Sequence, residues 1–288
     1  MMSTANAQRG MRILSKRGKK ILASVAVLVI SFLVITPFIW MFSISMRDVS
    51  DAYRLPPTLF PERIDFSNYV AVLESEINFL NLVKNTALTT ALIIAVQLIT
   101  VPMAGYSFAR LRYRGRNALF IGFLASMMIP QQSIIVALYI LLVRMKLRNT
   151  LLSICVSCFF NAFGVFLYRQ SFKTIPRSFE DAAKIDGAGY LRIYAQIMLP
   201  MVRATTLTLV ITSFNHAWSN YFHPLIFLSD WNKMTLSIGV TKLTGSMGSG
   251  SVCEVMAAAL MAVIPVVVVF FCANKYIVMG LTTGGVKE

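Results

Sequence analysis

The sequence predicts an all-α integral membrane protein with six transmembrane helices and one short helix outside the membrane. Of its 288 residues 57% are hydrophobic and only 14% are charged, whereas soluble domains are typically about 45–50% apolar and about 25% charged. Six apolar runs approach the ~20 residues that a helix needs to cross a hydrocarbon core of ~30 Å. The formal net charge of +15 does not indicate nucleic-acid binding, because the Lys and Arg residues stand in short blocks between the apolar runs instead of forming a stripe on a soluble surface.

The six apolar runs define the predicted spans and the predicted organisation of the chain. We place the spans at residues 21–46, 80–109, 118–141, 150–170, 204–228 and 257–280. The spans form a transmembrane domain over residues 21–280, with a basic tail at 1–20 and a second tail at 281–288. The first run follows basic residues as a signal peptide does, but it is far longer than the roughly 7–15 residues of a signal-peptide core. We therefore expect it to be retained as a span.

The distribution of positive charge predicts which loops are cytoplasmic. Six Lys and Arg residues precede the first span, four lie in "RLRYRGR" between the second and third, and six lie between Arg169 and Arg203. Short cytoplasmic loops are enriched in Lys and Arg, so these three regions share the cytoplasmic side. The basic cluster at residues 144–148 opposes the pattern. The total number of Lys and Arg residues on each side still predicts that both termini, and the segment 176–200, lie in the cytoplasm.

The cytoplasmic segment "SFEDAAKIDGAGYLRIYAQIMLP", residues 178–200, has the pattern of a short capped helix. Ser178 and Asp181 have the spacing of a capping box, with Asp in place of the usual Glu or Gln. Glu180 and Asp181 fall in the first turn, where the helix dipole favours negative charge. The pattern predicts a helix that begins at Ser178.

The end of this helix and its surface are also predicted. Gly187 and Gly189 can terminate it, which gives a length of about ten residues. Ala182 and Ala183 leave one face small enough for another protein to approach closely. A helix that merely lies on the membrane would show the same local pattern, since a capping box carries no information about a partner.

The order of residues in this segment resembles the EAA motif of permeases in binding-protein-dependent ABC importers. The motif reads "DAAKIDGA" here and is followed by "IMLP", with Asp181 where the family usually has Glu. Three further stretches, "FNHAWSNYFHPLIFLSD", "MAAALMAVIPVVVVFF" and "GLTTGGVKE", resemble the fifth span, the last span and the tail of carbohydrate-uptake permeases related to the maltose transporter. The chain departs from that pattern at Ser219, often Asn in the family, and at Ala204, which lacks a common proline.

The resemblance implies a set of partners and a mechanical role for the cytoplasmic helix. In this family a pair of permeases, usually two different subunits, binds two cytoplasmic ATPases, and the EAA helix inserts into a cleft on an ATPase as a coupling helix. The residues implied here are Glu180, Asp181, Ala182, Ala183, Asp186, Gly187 and Ala188. ATP and Mg²⁺ would be used by the ATPases, because this chain has no G-x-x-x-x-G-K-[ST] loop. We predict no bound cofactor, no metal and no enzymatic activity for the chain itself.

Polar residues crowd the predicted fifth span, where they are costly in lipid and tend to face a cavity or the bundle interior. Four of them are candidates for the substrate pathway: Asn215, Trp218, Asn220 and Tyr221. Amides can hydrogen-bond sugar hydroxyls, and aromatic rings can pack on the apolar sugar face. Hydrogen bonding between helices would use the same residues, so both interpretations stay open.

Two flexible stretches have roles implied by the resemblance. The outer loop Gly245, Ser246, Met247, Gly248, Ser249, Gly250 corresponds to a loop that reaches into the substrate-binding protein, although a plain linker would have the same composition. The tail residues Thr283, Gly284, Gly285 and Val286 correspond to a contact with the ATPases. A frayed terminus is the plain alternative.

These observations predict a permease subunit of an ATP-driven ABC importer in a bacterial or archaeal cytoplasmic membrane. It would form half of the pathway for a sugar or oligosaccharide that an extracytoplasmic binding protein delivers. Three alternatives remain. One is a secondary transporter, which should show inverted repeats and intramembrane ionisable residues, and another is a membrane scaffold without transport activity, which would not need the cytoplasmic motif. The third is an ABC permease for a polyol, a glycerol phosphate or another non-sugar solute.

Overall fold

The computed structural model describes residues 2–75, 77–243 and 251–285, and in these ranges every regular element is helical. The first eight helices are α1 (Met2–Ser45), α2 (Val49–Ala52), α3 (Ser67–Glu74), α4 (Phe79–Arg110), α5 (Arg116–Ser126), α6 (Gln131–Arg144), α7 (Leu151–Cys158) and α8 (Ala162–Thr174). The next seven are α9 (Ser178–Ile185), α10 (Tyr190–Ile193), α11 (Leu199–Met201), α12 (Arg203–Trp218), α13 (Phe222–Phe227), α14 (Leu236–Lys242) and α15 (Val252–Gly285). A π-helical turn, Tyr194–Met198, links α10 to α11.

Three stretches are each long and apolar enough to cross a membrane alone. They are Lys20–Ser45 within α1, the whole of α4, and Val252–Ala273 within α15. Three further pairs of helices pass the same test only as bent pairs, so the described residues supply between three and six spans. The all-α membrane architecture predicted from composition agrees with this arrangement.

The predicted third, fourth and fifth spans differ from the structure because none is a continuous helix. The third breaks between α5 and α6 with a bend of 102°, and the fourth breaks between α7 and α8 with a bend of 40°. The fifth ends as a regular helix at Trp218 and resumes at Phe222 as the short α13. A further bend of 78° separates the Tyr190–Met201 stretch from α12.

Two of these breaks have local causes. Pro130 stands immediately before α6, and proline removes a backbone donor and disfavours the helical conformation of the residue before it. Asn161 precedes α8, and its side-chain oxygen accepts a hydrogen bond of 2.8 Å from the backbone N–H of Gly164. This cap starts a new helix instead of continuing α7.

By its internal packing the chain divides into two units, and the first comprises residues 1–72 and 249–260. Here the end of α1 is fixed by Arg47, whose side chain is only 2% exposed and pairs with Asp51 at 3.5 Å. The amide of Asn68 donates to the carbonyls of Ser45 and Arg47, at 3.0 and 2.8 Å. These contacts satisfy carbonyl groups that the end of a helix leaves without partners.

The second unit comprises residues 73–248 and 261–288, and α4 is its central element. Helices α8 and α12 pack along it. At Gly105 the backbones of α4 and α8 approach each other closely. A Cβ added there would lie 2.4 Å from Cβ of Tyr168 and 3.2 Å from the backbone nitrogen of Arg169. A buried apolar cluster then joins α4, α5, α8, α9 and α12 through residues such as Phe108, Phe120, Phe172, Ala183 and Leu209. The cytoplasmic segment of the sequence prediction is thus part of the main core of this unit.

Candidate functional site

The segment that carries the EAA-like motif forms α9, a helix of eight residues. Its end matches the prediction for Gly187, which has a φ of +79° in the left-handed region. The N–H of Ala188 donates to the carbonyl of Ala183 at 2.9 Å, and the N–H of Gly187 donates to the carbonyl of Lys184 at 3.0 Å. This pair of bonds is the Schellman arrangement, which stops a helix sharply.

Helix α9 begins at Ser178 as predicted, but no capping box forms there. Arg177 already has helical angles, and its carbonyl accepts bonds from the N–H groups of Glu180 and Asp181 at 2.9 and 3.0 Å. Ser178 is therefore the first helical residue, whereas a side-chain cap requires an extended residue just before the helix. With eight residues, α9 is shorter than the predicted length of about ten residues.

One face of α9 is held against the rest of the unit by a buried ion pair. Oε1 of Glu180 lies 3.6 Å from Nε of Arg110 at the end of α4, and the two side chains are only 9% and 5% exposed. This distance is an ion-pair contact beyond hydrogen-bond length. The Nη2 group of Arg110 also donates to the carbonyls of Phe172 and Ile175. One guanidinium thus joins the ends of α4 and α8 to α9.

Helix α9 and the start of α10 expose large apolar side chains. Ile185 is 87% exposed and Leu191 is 74% exposed, and Phe179 and Tyr190 are also exposed. Exposed apolar groups that cluster together with charged neighbours are typical of a protein–protein contact surface. These four residues were not predicted from the sequence, although apolar side chains inside a polar segment are a signal that could have indicated them.

The seven predicted coupling residues divide between the two faces. Glu180 and Ala183 are buried, and Ala188 is half-buried. The exposed members are Asp181, Ala182, Asp186 and Gly187. Ala182 and Ala183 therefore do not share the outward face that the sequence analysis gave them. On that face Asp181 pairs with Lys184 at 3.2 Å.

A polar cavity of about 320 Å³ lies where α5 and α7 end. Its lining comes from α4, from the α5–α6 and α7–α8 breaks and from α12. It includes Gln97, Gln131, Phe160, Asn161, Phe163 and His216. Irregular backbone at membrane depth is tolerated where it borders protein or a water-filled cavity. Amide, imidazole and aromatic groups around one cavity can bind a polar ligand that also has an apolar face.

A buried hydrogen-bond network forms the floor of this cavity. The side-chain oxygen of Gln97 accepts from Asn161 at 3.0 Å and from Ser213 at 2.5 Å. Its amide nitrogen donates to the carbonyl of Cys158 at 2.6 Å. Gln97 thereby joins α4, both sides of the α7–α8 break and α12 through one side chain.

None of the four predicted pathway residues lines this cavity, which is instead reached by their neighbour His216. Trp218 is buried and donates to the carbonyl of Ala262 at 3.0 Å. Asn220 donates to the sulfur of Cys158 at 3.5 Å and lies 3.2 Å from Nδ1 of His223. These two side chains thus make packing contacts between helices, while Asn215 and Tyr221 are exposed.

Comparison with known proteins identifies the kind of molecule that carries these features. The family model described as "Binding-protein-dependent transport system inner membrane component" matches residues 101–282, which include α9 and most of the cavity lining. The chain belongs to this family. It is 30% identical over 258 residues to the lactose transport system permease protein LacG of Rhizobium radiobacter, covering 89% of this chain and 92% of LacG.

The permease also resembles an arabinooligosaccharide transporter subunit and a solved structure. It is 27% identical over 260 residues to the arabinooligosaccharides transport system permease protein AraQ of Halalkalibacterium halodurans, covering 90% of this permease and 93% of AraQ. A chain in the crystal structure of a bacterial ABC transporter involved in the import of the acidic polysaccharide alginate superposes with a TM-score of 0.82 at 25% identity. That match covers 91% of the permease and 97% of the alginate transporter chain. Members of the family are transport subunits and not enzymes.

Two predicted contact regions of the permease fall wholly or partly outside the described residues. The outer loop Gly245–Gly250 lies outside them, as does Val286. Thr283, Gly284 and Gly285 belong to the last turns of α15. The helix therefore extends five residues past the predicted boundary at 280, and at each of these three positions the backbone is helical.

Cysteines and potential metal ligands do not form a reactive centre in the part of the permease that the structure describes. Cys155 and Cys158 are buried, unpaired and packed with Ile93 and Ala217. No group of three His, Cys, Asp or Glu side chains that could hold a metal occurs among the described residues.

Proposed function

We propose that this permease forms half of the translocation pathway of an ABC importer for a sugar or oligosaccharide. The observation that carries the proposal is α9, a short, sharply terminated helix that is tied to α4 on one face and exposes apolar residues on the other. Such an element can bind a second protein and pass a displacement to the helices behind it. The names of LacG and AraQ favour a sugar as the solute.

The proposed assembly contains a second permease, two ATPase subunits and an extracytoplasmic solute-binding protein. The ATPases would bind ATP and Mg²⁺ and would hold α9 in a cleft. The exposed groups on that side, Asp181, Ala182, Asp186 and the apolar Ile185, would form the contact. The loop Gly245–Gly250 would contact the binding protein, and the tail 283–286 would contact the ATPases.

The proposed arrangement in the membrane has six spans and two cytoplasmic termini. Counting each bent pair as one span gives six. An orientation with the basic blocks inside follows from the loop charges, and the membrane is the cytoplasmic membrane of a bacterium or archaeon. In this arrangement α9 lies on the cytoplasmic side and the 102° bend lies within the membrane.

Coupling would then run from α9 into the bundle. Movement of the ATPases displaces α9 as a rigid body, because the Schellman end and the Glu180–Arg110 pair leave it little freedom. The displacement reaches α4, α8 and α12 through the buried cluster that contains Ala183. Those three helices also meet at the Gln97 network, so the same motion can change the cavity at the helix breaks.

Reconstitution of the complete importer tests this function. The two permeases and two ATPases in proteoliposomes, with the binding protein and a panel of labelled oligosaccharides, should take up a sugar only when ATP is supplied. Uptake driven by an ion gradient without ATP would favour a secondary transporter. Uptake of polyols or glycerol phosphate with no response to sugars would reassign the solute and keep the ABC mechanism.

A further inference from the structure

A basic cavity lies beside the coupling helix and is not used by the proposed transport mechanism. It has a volume of about 550 Å³ and is formed by the α4–α5 loop and the residue before α9. Three arginine residues line it, Arg112, Arg116 and Arg177, and Nη1 of Arg116 also donates to the carbonyl of Leu111 at 2.9 Å. Gly115, with a φ of +81°, allows the loop to turn so that Arg112 and Arg116 reach the same cavity.

Among the described residues no ion pair within 4.0 Å involves Arg112, Arg116 or Arg177, although Glu180 and Asp181 border a neighbouring pocket together with Arg112 and Arg177. The closest acids on α9 are engaged elsewhere, Glu180 with Arg110 and Asp181 with Lys184. Two more cations on α8, Arg169 and Lys173, lie close enough to Arg116 for mutual repulsion. Several like charges around one cavity repel each other unless an anion neutralises them.

An apolar groove continues from the basic cavity along α5. The groove has a volume of about 510 Å³ and is lined by Leu119, Gly122, Phe123 and Phe160, and Ala118 borders both spaces. Gly122 leaves the groove open, since a Cβ added there would meet no atom within 4 Å. Helix α5 has 11 residues, so it is about 16 Å long, roughly half of a ~30 Å hydrocarbon core.

We propose that this cavity and groove together bind an anionic phospholipid of the leaflet on the α9 side. Its phosphate occupies the cavity between Arg112, Arg116 and Arg177, and one acyl chain lies along α5 as far as the bend. Basic pockets between transmembrane helices on the cytoplasmic side bind anionic head groups. The adjoining groove favours a lipid over a free anion, because a free phosphate has no apolar part to fill it.

The assignment is tested on the complete importer, purified in mild detergent and titrated with single lipids. Native mass spectrometry compares dioleoyl phosphatidylglycerol with dioleoyl phosphatidylcholine, which share their acyl chains and differ in head-group charge. We expect the wild type to retain the anionic lipid on the order of a hundredfold better, since three Arg residues contribute. Each Arg removed should weaken its retention about fivefold, so Arg112→Gln/Arg177→Gln should abolish most of the preference.

A second variant tests the groove without changing the charge. Gly122→Leu places a side chain where the acyl chain lies, in space that is open in the permease, and should lower retention of the anionic lipid. Arg144→Gln/Arg148→Gln removes two exposed charges elsewhere, and Val136→Phe enlarges an exposed side chain on α6. Both controls should retain lipid as the wild type does.

Three results would overturn the proposal. Equal retention of the two lipids by the wild type would remove the charge selectivity. Unchanged retention in Arg112→Gln/Arg177→Gln, relative to its control, would assign the lipid to another site. Displacement of phosphatidylglycerol by millimolar inorganic phosphate, with no effect of Gly122→Leu, would identify a free-anion site.

Discussion

Substitution of Glu180 by Gln removes the negative charge that balances Arg110 and keeps the shape of the side chain. At 3.6 Å the two charges attract by about 4–5 kcal/mol at an effective dielectric constant near 20. Breaking a buried pair on one side typically costs about 3–5 kcal/mol. Arg110 keeps its hydrogen bonds to the carbonyls of Phe172 and Ile175 in the variant. We therefore expect Glu180→Gln to lower the free energy of unfolding by about 2–3 kcal/mol.

The adjacent carboxylate provides a matched control. Asp181 also has a basic partner, Lys184, but the side chains are 64% and 49% exposed, and exposed pairs contribute about 0–1 kcal/mol. Thermal unfolding of the purified permease pair, without ATPases, should show a midpoint lowered on the order of 5 °C by Glu180→Gln. Asp181→Asn should leave the midpoint unchanged and should weaken co-purification of the ATPases.

Two outcomes would refute this reasoning. Equal midpoints for Glu180→Gln, Asp181→Asn and the wild type would mean that the buried pair does not hold α9 to α4. A normal ratio of sugar uptake to ATP hydrolysis in a destabilised Glu180→Gln importer would mean that the pair stabilises the fold and takes no part in coupling.

Four further variants test other parts of the permease. Gly105→Val should prevent close packing of α4 on Tyr168 and cost about 3 kcal/mol or more, which is measured as loss of folded protein by size-exclusion chromatography. Gly187→Ala should cost about 1 kcal/mol because of its positive φ, and uptake should fall more than ATPase activity. Gln97→Leu should leave the donors on Asn161 and Ser213 without their acceptor, lowering thermal stability by about 1–3 kcal/mol. Deletion of residues 283–288 should preserve membrane levels and impair the ATP hydrolysis that sugar-loaded binding protein stimulates.

Each substitution in this group has a control elsewhere in the same chain. Gly122→Val adds the same bulk in open space, and Gly189→Ala changes a glycine with a negative φ. Gln131→Leu replaces an exposed glutamine at the cavity rim. Loss of folded protein in Gly122→Val, or equal effects of Gly187→Ala and Gly189→Ala, would contradict the structural reasons given. If the importer with the truncated permease hydrolyses ATP as fast as the full-length importer in the presence of sugar-loaded binding protein, the tail makes no functional contact with the ATPases.

The helical membrane class and the end of α9 were predictable because both depend on local chemistry. The hydropathy of a 20-residue run is a property of that run alone, and the predicted second span at 80–109 agrees with α4 within one residue at each end. Gly187 is similarly local, since only the backbone of one residue must adopt a positive φ to stop α9.

The size of the bend between α5 and α6 was not predicted because it depends on the parts of the protein packed around it. Residues 118–141 are mostly apolar, but Pro130, Gln131 and Gln132 interrupt them where the two helices meet at 102°. The bend is stable only where other parts of the protein border the irregular turn. Gln97, which contacts the neighbouring break at Cys158 and Asn161, lies more than 60 positions away in the chain.

What the sequence determined by itself was the class of protein, the position of α9 and its sharp end. Tertiary structure decided which carboxylate of α9 faces inward. Glu180 and Asp181 are adjacent and chemically alike, so the local sequence does not distinguish them. The choice was made by Arg110, at the end of a helix 70 positions earlier, because a buried guanidinium requires a nearby negative charge and only Glu180 points toward it.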